Sequence, residues 1–251
     1  MSTLRNDIEE LQKRNEAGLT ADDAGETELA VLEEFLDALE AGEVRAAEKR
    51  GGEWEANEWV KQGILLNFGL RSIETHGHGG VDYHDVLPLR DTADLPERGT
   101  RNTPDGTVIR RGAHVGSDAI LMSPSFVNVG AYVGDGTLVD SCDTVGSAAQ
   151  IGDDVKLGAC RVTSGFVVGE GSVVGENTLL TPNIPVYDLV EEKVVYGELP
   201  PERRAFTRYV ESSVGDHDLF EGGAYKPAVV ATDVEEETLE ATRREDALRD
   251  N

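Results

Sequence analysis

The chain has 251 residues, 39% of them hydrophobic, and a formal net charge of −26, which supplies enough apolar material for one large or two smaller cores and excludes a disordered polymer. Six lysines stand against seventeen arginines, and so acidic a balance excludes a nucleic-acid binder. A dense carboxylate surface with few lysines suits a protein that stays hydrated in concentrated salt, where like-charge repulsion is screened within a few ångströms, and it predicts a halophilic source.

The N-terminal stretch MSTLRNDIEELQKRNEAG has no continuous apolar core of the signal-peptide kind, and the sequence contains no run of eighteen apolar residues. The expectation is a cytoplasmic protein without a membrane partner. Leu4, Ile8 and Leu11 mark one apolar helical face, and Val31, Phe35, Leu36 and Leu39 mark a second that ends before Gly42. EVRAAEKRGGEWEANEWVKQGILLNFGL then predicts a short strand, a turn at Gly51 and Gly52, and a third helix carrying Trp59, Ile64 and Leu65. Residues 1–100 therefore read as an α-rich cap and linker, with the connecting segment over 80–102, where Pro88, Pro96 and many charges fall. His76 and His78 in ETHGHGG resemble a short metal tract, but a solvated loop explains them more simply.

From Ile109 the pattern changes. An aliphatic residue recurs every sixth position at Ile109, Val115, Leu121, Val127, Val133, Val139, Val145, Ile151 and Leu157. The fifth residue of each hexad is small at Ala113, Ala119, Ser125, Ala131, Thr137 and Ala149. A helix repeats its buried face every three or four residues and a strand every second one, so neither sets this interval. A short strand plus a corner does: first and fifth positions point inward, the turn residues face water, and three hexads close one triangular coil. Stacked coils make a parallel β-helix, expected over residues 101–200. The frame is expected to hold to about Val162 and to restart at Val168 and Val174, with Ser172 and Thr178 as fifths, after one residue drops out between Leu157 and Val168. TPNIPVYDLVEEKVVYGELPPERR breaks the repeat and closes the tube. Residues 201–251 are expected to form a strand followed by a charged helix, whose charges read as a solvated face.

Two fifth positions break the small-residue rule: Asp143 in VDSCDT and Arg161 in LGACRV. They lie three hexads apart, so a regular coil stacks them as an ion pair. A residue missing within LGACR instead turns Arg161 outward, and both readings stand. Cys142 and Cys160 are the only cysteines, too few for a zinc cage or a disulfide framework. A regular frame stacks them one coil apart, within disulfide reach, although two free thiols are expected in a reducing compartment.

With these elements placed, the chain resembles the tetrahydrodipicolinate N-succinyltransferases of the lysine and diaminopimelate pathway. The resemblance rests on VRAAEKRGGEWEANEWVKQGILLNF in the cap, LMSPSFVNVGAYVGDGTLVDSCDTVGSAAQIG in the coils, IPVYD with VYGELP at the end, and the closing strand. It implies a mainly β protein, a left-handed parallel β-helix assembled as a homotrimer with active sites between neighbouring helices. It also implies a CoA-dependent acyltransferase with no bound cofactor or metal, using succinyl-CoA as cosubstrate on a small dicarboxylate amine. The family's acidic residue falls on Asp140, which would orient or deprotonate the amine, and the substrate-binding arginine falls on Arg101. Taken alone, Asp140 is a turn aspartate and Arg101 a surface arginine. Main-chain groups of the later coils are expected to hold coenzyme A, without assignable residues.

One departure from the pattern stands out. Between QIGDDVKLGA and GFVVGEGSVVGENT the chain is shorter by roughly one coil plus a loop, and the family's glutamate would fall beside Arg161 or Val162, neither of which is acidic. Glu170 and Glu176 are the candidate substitutes. Three rival readings follow: an acetyl-CoA-dependent enzyme on the same or a similar amine, a catalytically inactive trimeric scaffold, and a γ-type carbonic anhydrase. The last needs three histidines on zinc, and of His76, His78, His84, His114 and His217 only His114 lies in the repeat.

Overall fold

A computed structural model describes residues 2–78, 80–104, 106–213, 219 and 223–235. At the N-terminus, α1 (Ser2–Glu16), α2 (Glu26–Glu40) and α3 (Glu58–Gly69) pack around one core. Leu4, Ile8 and Leu11 meet Leu32, Phe35, Leu36 and Leu39 there, and α3 contributes Val60, Ile64 and Leu66. Helices of this length are marginal alone, so the shared apolar face supplies their stability. Gly63 lets α3 approach α2, because a Cβ there would come within 2.6 Å of the Phe35 ring. Val31 sits on the rim of this core, while Leu65 is 60% exposed and does not belong to it.

Between α2 and α3 the chain makes two strands rather than one, Ala47–Arg50 and Glu53–Ala56, paired across Gly51 and Gly52 with positive φ at both. The expected connecting segment also begins with structure. Val81–Asp85 pairs antiparallel with Glu74–His78, so the irregular linker is confined to the residues that follow. His76 donates through Nε2 to the Asp85 carbonyl at 3.0 Å and lies against the Tyr83 ring. Among the described residues no group of three or more His, Cys, Asp or Glu is placed to hold a metal.

The hexads form a left-handed parallel β-helix with three faces. The first face stacks His114–Val115, Tyr132–Val133, Gln150–Ile151, Val167–Val168 and Glu198–Leu199. The second stacks Arg101–Asn102, Ile120–Leu121, Leu138–Val139, Lys156–Leu157, Val173–Val174 and the start of Arg203–Ser212. The third stacks Thr107–Ile109, Ser125–Val127, Thr144–Val145, Arg161–Val162 and Leu179–Leu180. Each rung donates its amides to the next, as Tyr132 N does to Ala149 O and Leu138 N to Val155 O, so the backbone is satisfied along the tube. The repeated aliphatic positions form one continuous core, with Val115, Leu121, Val127, Val133, Val139, Val145 and Ile151 fully enclosed.

The missing residue lies inside LGACRV. Val162, not residue 163, follows Leu157 as the next inward aliphatic, so this rung has five residues instead of six. Cys160 therefore takes the inward position, 1% exposed, and Arg161 turns to solvent on the third face. The stacked Asp143–Arg161 pair does not form; the outward reading of Arg161 holds. The two cysteines are also out of register: Cys160 stacks over Asp143, while Cys142 is exposed in the turn, and both thiols are free.

After Leu180 the chain leaves the tube for the strands Val186–Asp188 and Lys193–Val195, then rejoins it at Glu198–Leu199. The C-terminal part contains two long strands where one was expected. Arg203–Ser212 and Ala224–Asp233 pair antiparallel along their whole length, extending the sheet of the second face. The expected terminal helix falls largely on residues 236–251, outside the described residues. Among the described residues, no helix is long and apolar enough to cross a membrane.

The cap covers the first face only. His114 donates through Nδ1 to the Glu40 carbonyl at 2.8 Å, and its ring stacks on Tyr132 with centroids 4.4 Å apart. The Arg45 guanidinium lies 3.6 Å over the Tyr132 ring and bonds Gln150 Oε1 at 3.0 Å. Arg111, at the neighbouring corner, reaches Glu33, Asp37 and Glu40 of α2. Arg110 pairs with Asp85. The edge between the second and third faces carries none of these contacts.

Candidate active site

Asp140 stands at that edge. It follows the strand Leu138–Val139 and opens the four-residue turn into Thr144–Val145. Its Oδ1 accepts the Ser141 amide at 2.7 Å, the local bond expected of an aspartate that begins a turn. Ser141 hydroxyl then bonds the Ser123 carbonyl one rung earlier at 2.7 Å, and Cys142 closes the turn at φ 69°. The Asp140 side chain is half-buried and faces outward, because Val139 before it points into the core.

Arg101 lies on the same side of the tube. It begins the first rung of the second face, with its amide bonded to Ala119 O at 2.8 Å and its Cα paired to Ile120. Ile120 in turn pairs with Leu138, so Arg101 is two rungs, about 10 Å of stacking, from the strand that carries Asp140. Both side chains therefore lie on the uncapped side.

The outward positions of the second face run Arg101, Ile120, Leu138, Lys156, Val173 and Arg204. Three of these six are cations, in a chain whose net charge is −26. Arginine and lysine heads are the groups that meet carboxylates and phosphates through charge-assisted hydrogen bonds. Lys156 and Arg204 were not singled out from the sequence. Each immediately precedes an inward residue of the second face, Leu157 and Ala205, but the hexad count alone does not align them with Arg101: Arg101 lies 19 residues before its partner Ile120, and Arg204 lies 31 after Val173.

The two candidate substitutes for the absent glutamate separate. Glu176 occupies the same edge as Asp140, two rungs further along, whereas Glu170 lies at the edge between the first and second faces. Both are exposed. Of the positions where the glutamate was expected, Arg161 points to solvent from the third face and Val162 is in the core. An apolar groove of about 360 Å³ between cap and coils, lined by Ala46, Asn57, Lys61, Ile64, Ser147 and Ser164, opens at the third edge and is not part of this site.

Beneath Asp140 the core holds an acid. Asp143 is 2% exposed. Its Oδ2 accepts the Asp140 amide at 2.6 Å, and its Oδ1 accepts the Cys160 amide. Burial pushes its carboxyl up to about 6, further than those amide bonds and the Cys160 thiol draw it down. Burial, with the Asp143 charge beside it, also raises the Cys160 thiol well above its usual range, leaving it unreactive.

Residues 3–70 match the family described as Tetrahydrodipicolinate N-succinyltransferase N-terminal. Beyond the cap, the chain is 32% identical to the 2,3,4,5-tetrahydropyridine-2,6-dicarboxylate N-succinyltransferase of Polynucleobacter asymbioticus over the whole of both chains. It is 34% identical to the protein of that name from Tolumonas auensis, over 88% of this chain and 90% of the relative. The protein of that name from Dechloromonas aromatica is 30% identical over 89% and 90%. The chain belongs to the tetrahydrodipicolinate N-succinyltransferase family.

Proposed function

We infer that this protein transfers the succinyl group of succinyl-CoA to the amine of L-2-amino-6-oxopimelate, the open form of tetrahydrodipicolinate, in lysine and diaminopimelate biosynthesis. The observation that carries this reading to particular residues is the position of Asp140 and the Arg101–Lys156–Arg204 strip on the uncapped side of the tube. Both substrates are polyanions, and a cationic face is what a strongly acidic protein needs to hold them.

The chemistry is a direct acyl transfer. The amine nitrogen bonds to the thioester carbonyl, a tetrahedral oxyanion forms, the carbon–sulfur bond breaks, and coenzyme A leaves as the thiol with the proton lost by the amine. Asp140 orients the amine and takes up its hydrogen bond or proton. Arg101 holds a substrate carboxylate through two parallel N–H bonds. Backbone amides of the coils serve the oxyanion and coenzyme A. A single tube leaves the Asp140 edge open to water, and a homotrimer would close it, with a neighbouring helix completing each site.

Thiol release from succinyl-CoA in the presence of 2-aminopimelate, an acyclic analogue of the acceptor, tests the reading in molar salt. The parent is expected to release thiol, Asp140→Asn to lose activity by at least about a hundredfold, and Arg101→Ala to raise KM for the amine. Parent rates equal to those of Asp140→Asn overturn it. Release with acetyl-CoA alone overturns the choice of donor.

A further inference from the structure

The tube has a repeated way of catching an inward amide that lacks a turn partner. Where the fifth residue of a hexad bonds within its own corner, the amide goes back three residues, as Ala113 N does to Arg110 O, Ala149 N to Gly146 O and Thr178 N to Gly175 O. At two positions without that corner bond a hydroxyl one rung earlier accepts the amide: Thr137 Oγ1 takes Val155 N at 3.2 Å, and Ser172 Oγ takes Arg203 N at 3.2 Å. In the five-residue rung Cys160 has no such corner bond, and Asp143 Oδ1 accepts its amide. A hydroxyl would serve there, as it does at Thr137 and Ser172. The chain instead buries a carboxylate, at the cost of desolvating it.

The difference between the two groups is the second oxygen. Asp143 Oδ2 turns back to the Asp140 amide at 2.6 Å, an amide otherwise held only by a longer bond, 3.3 Å, to Leu157 O. The same amide precedes the Ser141 N–H that holds the Asp140 carboxylate. We propose that Asp143 is a positioning residue for Asp140, its carboxylate bridging the Asp140 and Cys160 amides so that the shortened rung and the turn presenting Asp140 are fixed to each other. This rests on the reading that Asp140 meets the substrate amine. A carboxylate held from inside by a second acceptor keeps its place to a fraction of an ångström, and displacement of about 1 Å at a reacting group lowers rates by up to about a hundredfold.

Asp143→Thr separates the two jobs. It keeps a hydroxyl for the Cys160 amide, in the arrangement Thr137 already uses, and removes the acceptor for the Asp140 amide. Asp143→Ser, matching Ser125 one rung earlier, is the second variant if the first does not fold. The measurement is thiol release with succinyl-CoA and 2-aminopimelate, with circular dichroism melts on the same samples. The expected result is kcat reduced at least tenfold, KM for both substrates within threefold of the parent, and a melting temperature no lower than the parent's. A kcat within twofold of the parent in a folded variant overturns the proposal. So does a loss that vanishes once rates are normalised to folded protein. Asp140→Asn run in parallel keeps the two claims apart: full activity there overturns the role of Asp140 itself, whereas an inactive Asp140→Asn beside a fully active Asp143→Thr overturns only the positioning role.

Discussion

The Asp188 carboxylate and the Arg203 guanidinium form a two-pronged pair inside the closing part of the tube, with Nε 3.0 Å from Oδ1 and Nη2 3.2 Å from Oδ2. Arg203 is the first residue of the terminal hairpin, and Asp188 ends the strand Val186–Asp188, which pairs in parallel with the hairpin's second strand in the same sheet. The two side chains are almost fully enclosed, so the pair is a lock between the tube and its last sheet rather than a surface decoration. Removing one partner strands the other charge. Arg203→Met is expected to cost about 3–5 kcal/mol in denaturant unfolding, and the double change Asp188→Leu with Arg203→Met less than the single one. Equal losses in the single and double variants would show that the charges do not depend on each other.

Asp143 gives the stability curve a slope opposite to the usual carboxylate. Its folded-state carboxyl sits at about 6 because burial disfavours the charge, whereas in the unfolded chain it titrates near 3.9. The native state therefore holds the proton more tightly, and the stability this group contributes is complete below pH ~4 and lost as pH rises through 6. Its ionisable neighbours are the Asp140 carboxylate, which pushes in the same direction, and the Cys160 thiol, which bonds to it. The loss amounts to roughly 3 kcal/mol by pH 8. Unfolding free energies at fixed salt between pH 4 and 8 are expected to show Asp143→Thr gaining on the parent from pH ~4 to about pH 6.5 and holding that gain beyond it. Parallel curves would mean the acid is not buried as described.

The tube was legible because its period belongs to no other structure: inward aliphatics at every sixth residue leave helix and hairpin without a fit, and every one from Ile109 to Leu157 is in the core. The slip was harder to place. Asp143 and Arg161 lie eighteen residues apart, a full coil in an unbroken frame, and the letters alone do not say which of Cys160 and Arg161 goes inside. Desolvation decides it: a thiol enters an apolar core at little cost and a guanidinium does not. The terminal hairpin escaped for a different reason. Beyond Ala205 both faces of Arg203–Ser212 meet solvent over much of their length, so the alternation that marks a half-buried strand is missing. For the proposed site, motif resemblance singled out Asp140 and Arg101, whereas the outward positions of Lys156 and Arg204 and the inward position of Asp143 beneath the Asp140 turn came from sorting the rungs into faces.

Arg111 is the principal electrostatic fastening of the cap to the coils. Its guanidinium is largely buried and meets Glu40 at 2.7 Å and Glu33 at 3.1 Å, with Asp37 beside them. Burial works against its charge, but the three carboxylates more than offset it and raise its pKa. Glu40 also caps the Gly112 amide at 2.8 Å. Arg111→Ala leaves this acidic cluster without its shared cation, and is expected to lower stability by about 2–3 kcal/mol. Limited proteolysis should then cut between cap and coils sooner than in the parent. Unchanged cleavage would place the fastening in the Arg45–Tyr132–His114 stack instead.

Faces two and three present apolar groups that the cap does not cover. Ile120, Val173, Phe126 and Leu179 all point outward from their rungs and are only half-buried, and the terminal sheet adds Tyr209 at 70% and Tyr225 at 63% exposure. Flat sheet faces of this kind bury apolar area only against another flat face, and a threefold arrangement would set the third face of one tube against the Asp140 edge of the next. Phe126→Glu puts a charge at the centre of such a contact while leaving the tube's interior residues untouched. Light scattering in molar salt is expected to show a trimer for the parent and a monomer for Phe126→Glu, with thiol release lost in the variant and its helix and strand content retained. A monomeric parent that still turns over would mean that one tube builds the whole site from its own Asp140 edge, and the neighbour would have no part in catalysis.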